Sequence, residues 1–141
     1  MIIFLNMFFL IYGLNAECVI KDGAELRNAP SKHAAVTWQI RKYFPVKKLQ
    51  ETEYWIKVID LEGDRHWVEK KYLTKKYHCV IVKGSETRIK KEPESRSLDK
   101  YKESALKYET FKFMKARKGW IKIKDVYGDT GWVLYKDVWV D

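Results

Sequence analysis

Trp55-Ile-Lys-Val-Ile-Asp-Leu-Glu-Gly-Asp-Arg-His-Trp-Val68 decides the fold, because the chain writes it a second time as Trp120-Ile-Lys-Ile-Lys-Asp-Val-Tyr-Gly-Asp-Thr-Gly-Trp-Val133, 65 positions later. Both stretches alternate apolar and polar residues on either side of a Gly-Asp turn. That is the pattern of a β-hairpin with one face against a core. Ile56 and Val58 belong to the inner face of the first strand, Trp55 and Lys57 to the outer one. Gly63 and Gly128 stand where the turn needs a positive φ.

A second landmark lies upstream of each hairpin. Cys18-Val-Ile-Lys-Asp-Gly-Ala-Glu-Leu-Arg27 is echoed 61 positions on by Cys79-Val-Ile-Val-Lys-Gly-Ser-Glu-Thr-Arg88, so the later unit carries four extra residues between its landmarks. The repeats divide the chain into residues 17–75 and 76–141. In the first unit, Val36–Ile40 and Tyr43–Leu49 read as short strands and Lys70–Leu73 as a single helical turn. Short strands, frequent turns and no long amphipathic helix give an all-β fold of two small tandem barrels. The linker Thr74–His78 has neither Gly nor Pro and holds the units close. In the second unit, Leu98, Tyr101, Ala105 and Tyr108 fall near a helical period, with Ser97 placed to cap. A partly helical insertion over 97–109 is therefore expected, the strand resuming by Tyr108.

Residues 1–16 carry no charged side chain and are almost all apolar. A membrane span needs roughly 20 such residues, so the run reads as a signal peptide cut after Ala16, leaving no transmembrane anchor. The alternatives are a buried first strand or an uncleaved anchor. The mature chain would then be periplasmic or secreted. The net charge is +9, and it is spread evenly, with 13 Lys/Arg against 9 Asp/Glu in 17–76 and 15 against 10 in 77–141. Such a surplus favours solubility and anionic partners without specifying nucleic acid. The six Trp and nine Tyr fall largely at repeated barrel positions, which makes them core material more than a base-stacking platform, and no nucleic-acid partner is expected.

Ala24-Glu-Leu-Arg-Asn-Ala-Pro-Ser31, Val36 and Trp38, Tyr54-Trp-Ile-Lys-Val58 and Gly63-Asp-Arg-His-Trp-Val68 together resemble the bacterial Src-homology-3-like (SH3-like) family in its tandem, exported form. The second unit departs from the pattern at Thr87, where Leu is usual, and at the displaced Pro93. The resemblance implies five-stranded barrels in tandem, no catalysis, and binding of cell-wall peptides or proteins. Peptide-binding members of the wider superfamily grip polyproline between stacked aromatics. Matching positions here are Tyr54 and Gly119, Glu69 and Leu134, Tyr72 and Asp137. Half a groove survives in the first unit and none in the second, which argues against polyproline.

Cys18 and Cys79 open the units at equivalent positions. If a pseudo-two-fold axis relates the barrels they can meet, and an oxidising compartment would join them as an inter-repeat disulfide; the alternative is two unpaired cysteines buried in first strands. No metal or cofactor is expected, since His33, His66 and His78 are scattered and the cysteines lack paired zinc spacing. Asp60/Asp64 and Asp125/Asp129 flank a Gly turn and read as turn residues rather than acid/base pairs. The expectation is a non-enzymatic exported module for cell-envelope peptide or peptidoglycan, with Arg27, Tyr54 and Tyr72 as candidate contacts. The alternative is a scaffolding module for another envelope protein.

Overall fold

The computed structural model describes residues 16–140. The expected signal segment, 1–16, lies outside the described residues except for Ala16. The N-terminal half holds β1 (Ala16–Val19), β2 (Ala24–Arg27), β3 (Val36–Ile40), β4 (Pro45–Glu51), β5 (Trp55–Ile59), β6 (Arg65–Glu69) and β7 (Leu73–Thr74), with a 3-10 turn at Lys70–Tyr72. The C-terminal half holds β8 (Cys79–Val82), β9 (Glu86–Thr87), β10 (Ala105–Leu106), β11 (Thr110–Arg117), β12 (Trp120–Lys124), β13 (Thr130–Leu134) and β14 (Val138–Val140), with a 3-10 turn at Tyr135–Asp137.

The first sheet runs β3-β2-β6-β5-β4-β1-β7 and the second β13-β12-β11-β8-β14, beside a separate β10-β9 ribbon. The order is the same in both halves, cut once in the second between β9 and β13. All ladders are antiparallel. The twin hairpins have the register that alternation predicts, Ile56 opposite Val68 and Ile121 opposite Val133. Their turns close alike, Asp60 N–H donating to Asp64 O at 3.0 Å and Asp125 N–H to Asp129 O at 2.9 Å. Gly63 and Gly128 take φ of 84° and 91°, as that turn requires.

Inward residues of each sheet form its core. Val19, Leu26, Val46, Val58 and Val68 are fully buried in the first, and Val80, Val82 and Val133 in the second. Each such side chain contributes about 1.5–3 kcal/mol of burial. The cores interlock: Ile81 of β8 sits in the first, and Trp139 of β14 packs against it. Cys18 and Cys79 are joined by a disulfide with Cα atoms 5.8 Å apart, packed beside Tyr43 and Tyr77.

Two expectations need correction. The sheets are not a pair of five-stranded barrels: the first has seven strands and the second five, and the edge strands of neither are hydrogen-bonded to each other. In the first half β2 reaches β6 through the pair Arg27–Trp67. In the second, the longer loop leaves only the isolated bridge Lys90–Trp132, so the β9–β10 ribbon stands apart. Nor is 97–109 helical. The chain doubles back, Lys91 N–H donating to Leu98 O at 2.9 Å and Lys100 N–H to Ile89 O at 2.7 Å. Ser97 Oγ accepts from Glu92 N–H at 2.9 Å, closing a loop instead of capping a helix. The apolar residues that suggested a stripe go to different surroundings: Leu98 is 71% exposed, Ala105 enters the core and Tyr108 crosses to the first half. Long-range contacts outweigh a local periodicity this short. The strand resumes at Thr110, two residues later than expected.

Candidate functional site: a cleft between the two halves

A cleft of about 960 Å³ opens where the halves meet. Ile89, Ala105 and Phe111 lie in it, buried. One wall is Asp22, Arg41 and Lys42; the other is the arm Tyr101–Tyr108 with the turn Asp125–Tyr127. Asp125 Oδ1 accepts the N–H groups of Tyr127 and Asp129, each at 2.9 Å, which turns the chain sharply enough to throw Tyr127 outward. Tyr127 is 88% exposed. The Tyr101 hydroxyl donates to Asp125 Oδ2 at 3.1 Å, pinning arm to turn. Burial first, and then this carboxylate, push the Tyr101 phenol up to about 12. At the other wall Lys42 N–H donates to Asp22 Oδ1 at 2.9 Å, and the Thr110 hydroxyl donates to Lys42 O at 2.7 Å. The rim carries both signs, Arg41, Lys42 and Lys102 with Glu103 and Glu109. No imidazole or thiol lines it. An apolar floor under a two-signed rim suits an extended chain bearing both amino and carboxyl groups.

None of Arg27, Tyr54 and Tyr72 lines this cleft. Arg27 bonds Ala34 O at 2.7 Å and pairs with Glu25, its side chain only 16% exposed, so it fastens the 28–35 loop. Tyr54 is 68% exposed at the head of β5. The Tyr72 ring packs on the first core, with Lys21 and Lys71 ammonium groups 4.9 and 5.1 Å from its centre. Sequence reasoning missed Tyr127, although the signal was there: the first turn reads Asp60-Leu-Glu-Gly63, the second Asp125-Val-Tyr-Gly128. It also passed over His66. Asp60 caps its own turn as expected, Oδ1 accepting from Glu62 N–H at 2.8 Å and Asp64 N–H at 3.0 Å. Its Oδ2 lies 2.7 Å from His66 Nε2, and His66 Nδ1 lies 2.7 Å from Thr37 Oγ1. With Nε2–H donating to the carboxylate, Nδ1 accepts from the hydroxyl. None of the three lines the cleft; the chain straps edge strand β3 to β6 and the turn. Among the described residues no group of three or more His, Cys, Asp or Glu could hold a metal ion. No helix among them is long and apolar enough to cross a membrane.

Comparison with known proteins adds three observations. No curated protein matches the chain. Among solved structures it is similar to an NlpC/P60 family protein from Bacillus cereus ATCC 10987, at 11% identity and TM-score 0.39, over 89% of this chain and 56% of that one. It is similar also to NlpC2 of Trichomonas vaginalis, at 12% identity and TM-score 0.38, over 89% and 47% of the two chains. NlpC1 of Trichomonas vaginalis gives 12%, 0.39, 98% and 50%. The chain thus spans about half the length of these structures. The model of the bacterial SH3 domain matches residues 21–75, the run from the β1–β2 turn through β7 that carries the first hairpin. Over residues 21–75, then, the chain is similar to the bacterial SH3 domain family.

Proposed function

We propose that the chain is a non-enzymatic, exported binding module that holds an extended peptide of the cell envelope in the cleft between its halves. The halves, 17–75 and 76–141, are on this reading two copies of one SH3-like unit, preceded by a cleaved segment at 1–16. The observation that carries the proposal is the cleft itself, with buried apolar residues below, the exposed Tyr127 ring at its mouth and charges of both signs on its rim. The shared strand order supports duplication. The buried disulfide supports an oxidising compartment.

The test is sedimentation with purified cell wall, backed by titration with wall-derived peptides. Tyr127→Ala with Arg41→Ala is expected to weaken binding about tenfold or more, as loss of an aromatic anchor and a charge does. Unchanged binding sinks the cleft as the site. Tyr54→Ala with Tyr72→Ala, run in parallel, reports on the exposed Tyr54 and the half-buried Tyr72 as an alternative contact surface. Partners retained after wall digestion would favour the scaffolding alternative.

A further inference from the structure

Two equivalent hairpins carry their charge differently. Residues 110–124 hold six cations, Lys112, Lys115, Arg117, Lys118, Lys122 and Lys124, and no carboxylate. The matching residues 45–59 hold Lys47, Lys48 and Lys57 together with Glu51 and Glu53. Glu51 lies 3.5 Å from Lys48 Nζ and 2.9 Å from Lys70 Nζ, neutralising that surface. In the second hairpin Ala116 replaces Glu51, Lys118 replaces Glu53, Lys115 replaces Gln50 and Lys124 replaces Ile59.

The register sharpens the contrast. Lys112 stands directly opposite Lys124, and Lys115 directly opposite Lys122. These pairs share the outer face, since Ile121 and Ile123 take the inner one and are buried. Like charges facing each other across strands destabilise a sheet. Among the described residues no carboxylate forms an ion pair with any of the six. What compensation exists comes from rings: Lys115 and Lys122 lie 5.7 and 6.0 Å from the centre of Trp132, and Lys112 lies 4.7 Å from that of Tyr77. The first hairpin demonstrates that the fold does not need this repulsion.

Along a strand, successive residues of one face are about 6.8 Å apart, and opposed pairs sit about 5 Å apart. The cations therefore form a track and do not converge on a pocket. We infer that the outer face of β11–β12 is a docking track for a linear phosphodiester polyanion. Trp120 and Trp132 are buried here, and Met114, at the bulge of β11, is the large apolar side chain that β11, β12 and β13 leave exposed. Nucleobases thus find no exposed ring to stack on, and one methionine is far less apolar area than binding to a bilayer draws on. Lysine is depleted from protein–protein interfaces, so an acidic protein fits less well. None of the six cations lines the cleft, and the track's occupant is independent of the peptide reading.

The test titrates the full, disulfide-bonded chain with labelled short poly(glycerol phosphate) over a salt series. The association constant should fall with salt at a log–log slope of about −3 to −4, the release of about five counterions, or roughly a hundredfold across a fourfold rise in salt. Lys115→Glu with Lys124→Glu places carboxylates opposite Lys122 and Lys112. It should lose at least about tenfold of the affinity and flatten the slope, while the thermal midpoint holds or rises. Lys32→Glu with Lys76→Glu makes the same change in net charge at exposed positions elsewhere, and should bind nearly as the parent does. The proposal is overturned if that control loses as much, or if the polymer fails to bind even at low salt. It is equally overturned if an oligothymidylate or phosphatidylglycerol vesicles bind more tightly than the polymer with the same dependence on Lys115 and Lys124.

Discussion

Asp60 and Asp125 occupy the same turn in the two halves and are served differently. Each uses Oδ1 to accept two backbone N–H groups of its own loop. The second oxygen of Asp60 goes to buried His66, which relays to Thr37; that of Asp125 goes to the Tyr101 hydroxyl. The position of His66 is Gly131 in the second hairpin, where a Cβ would overlap Ile89 Cγ2. Ile89 fills the space because the longer loop of the second half brings it there, and the same loop supplies Tyr101. One backbone frame thus tolerates two interiors, provided the spare carboxylate oxygen finds a donor. The exchange freed the second arm to become a wall of the cleft.

The comparison breaks most visibly if the aspartates are removed. Asp60→Ala strips a buried imidazole and two backbone donors of their acceptor and should cost about 3 kcal/mol. Asp125→Ala, nearer solvent and with a neutral phenol as partner, should cost about 1–2 kcal/mol. Urea midpoints at constant m measure both, and equal losses would mean that the His66–Thr37 chain adds nothing. Next in size is the cross-link. Cys18→Ser with Cys79→Ser should lose about 2–4 kcal/mol, yet unfolding should stay a single transition because Ile81 and Trp139 remain docked on the first core. Two separated transitions would show that only the disulfide couples the halves.

Tyr101→Phe is a smaller perturbation, about 1 kcal/mol for one hydrogen bond. Its signature is in the pH profile. The folded phenol is raised from 10.0 to about 12, so its contribution is complete below the unfolded value and is lost as pH rises through the folded one. The variant should lack the last phenol to titrate and lose less stability across that window. Smallest is a gain. Burial raises the Glu17 carboxyl, against the lowering influence of Lys75 and Lys48. A raised carboxyl burdens the fold once ionised, and the burden lifts as pH falls through the folded value. Glu17→Gln should raise the thermal midpoint by a few degrees at neutral pH, within about 1 kcal/mol, and leave it unchanged in mild acid.

How far the amino-acid order revealed these features depended on range. Hairpins β5–β6 and β12–β13 were legible because alternation and a Gly turn are local facts. The arm at 97–104 was not, since Tyr101 and Ile89 take their positions from residues tens of places away. Charge misled in part for the same reason: each half has a similar surplus. Although the six cations of 110–124 stand together in the chain, only register sets Lys112 against Lys124 and Lys115 against Lys122, while ion pairs neutralise the other hairpin. Arg27 was legible as a special residue but not as a fastener of its own loop, because Ala34 contributes only a carbonyl.

Tyr43 and Tyr108, 65 positions apart, are non-glycine residues at φ of 69° and 72°. Each bears a backbone cost of about 1–2 kcal/mol, and each sends its ring across the junction, Tyr43 to Tyr77 at 5.9 Å and Tyr108 to Trp38 at 5.3 Å. The clasp is reciprocal, so neither half is a free module. A chimera that replaced one half with an unrelated barrel would inherit one contorted tyrosine with no ring to meet, and the graft would have to bring its own receptor or relax that corner to glycine.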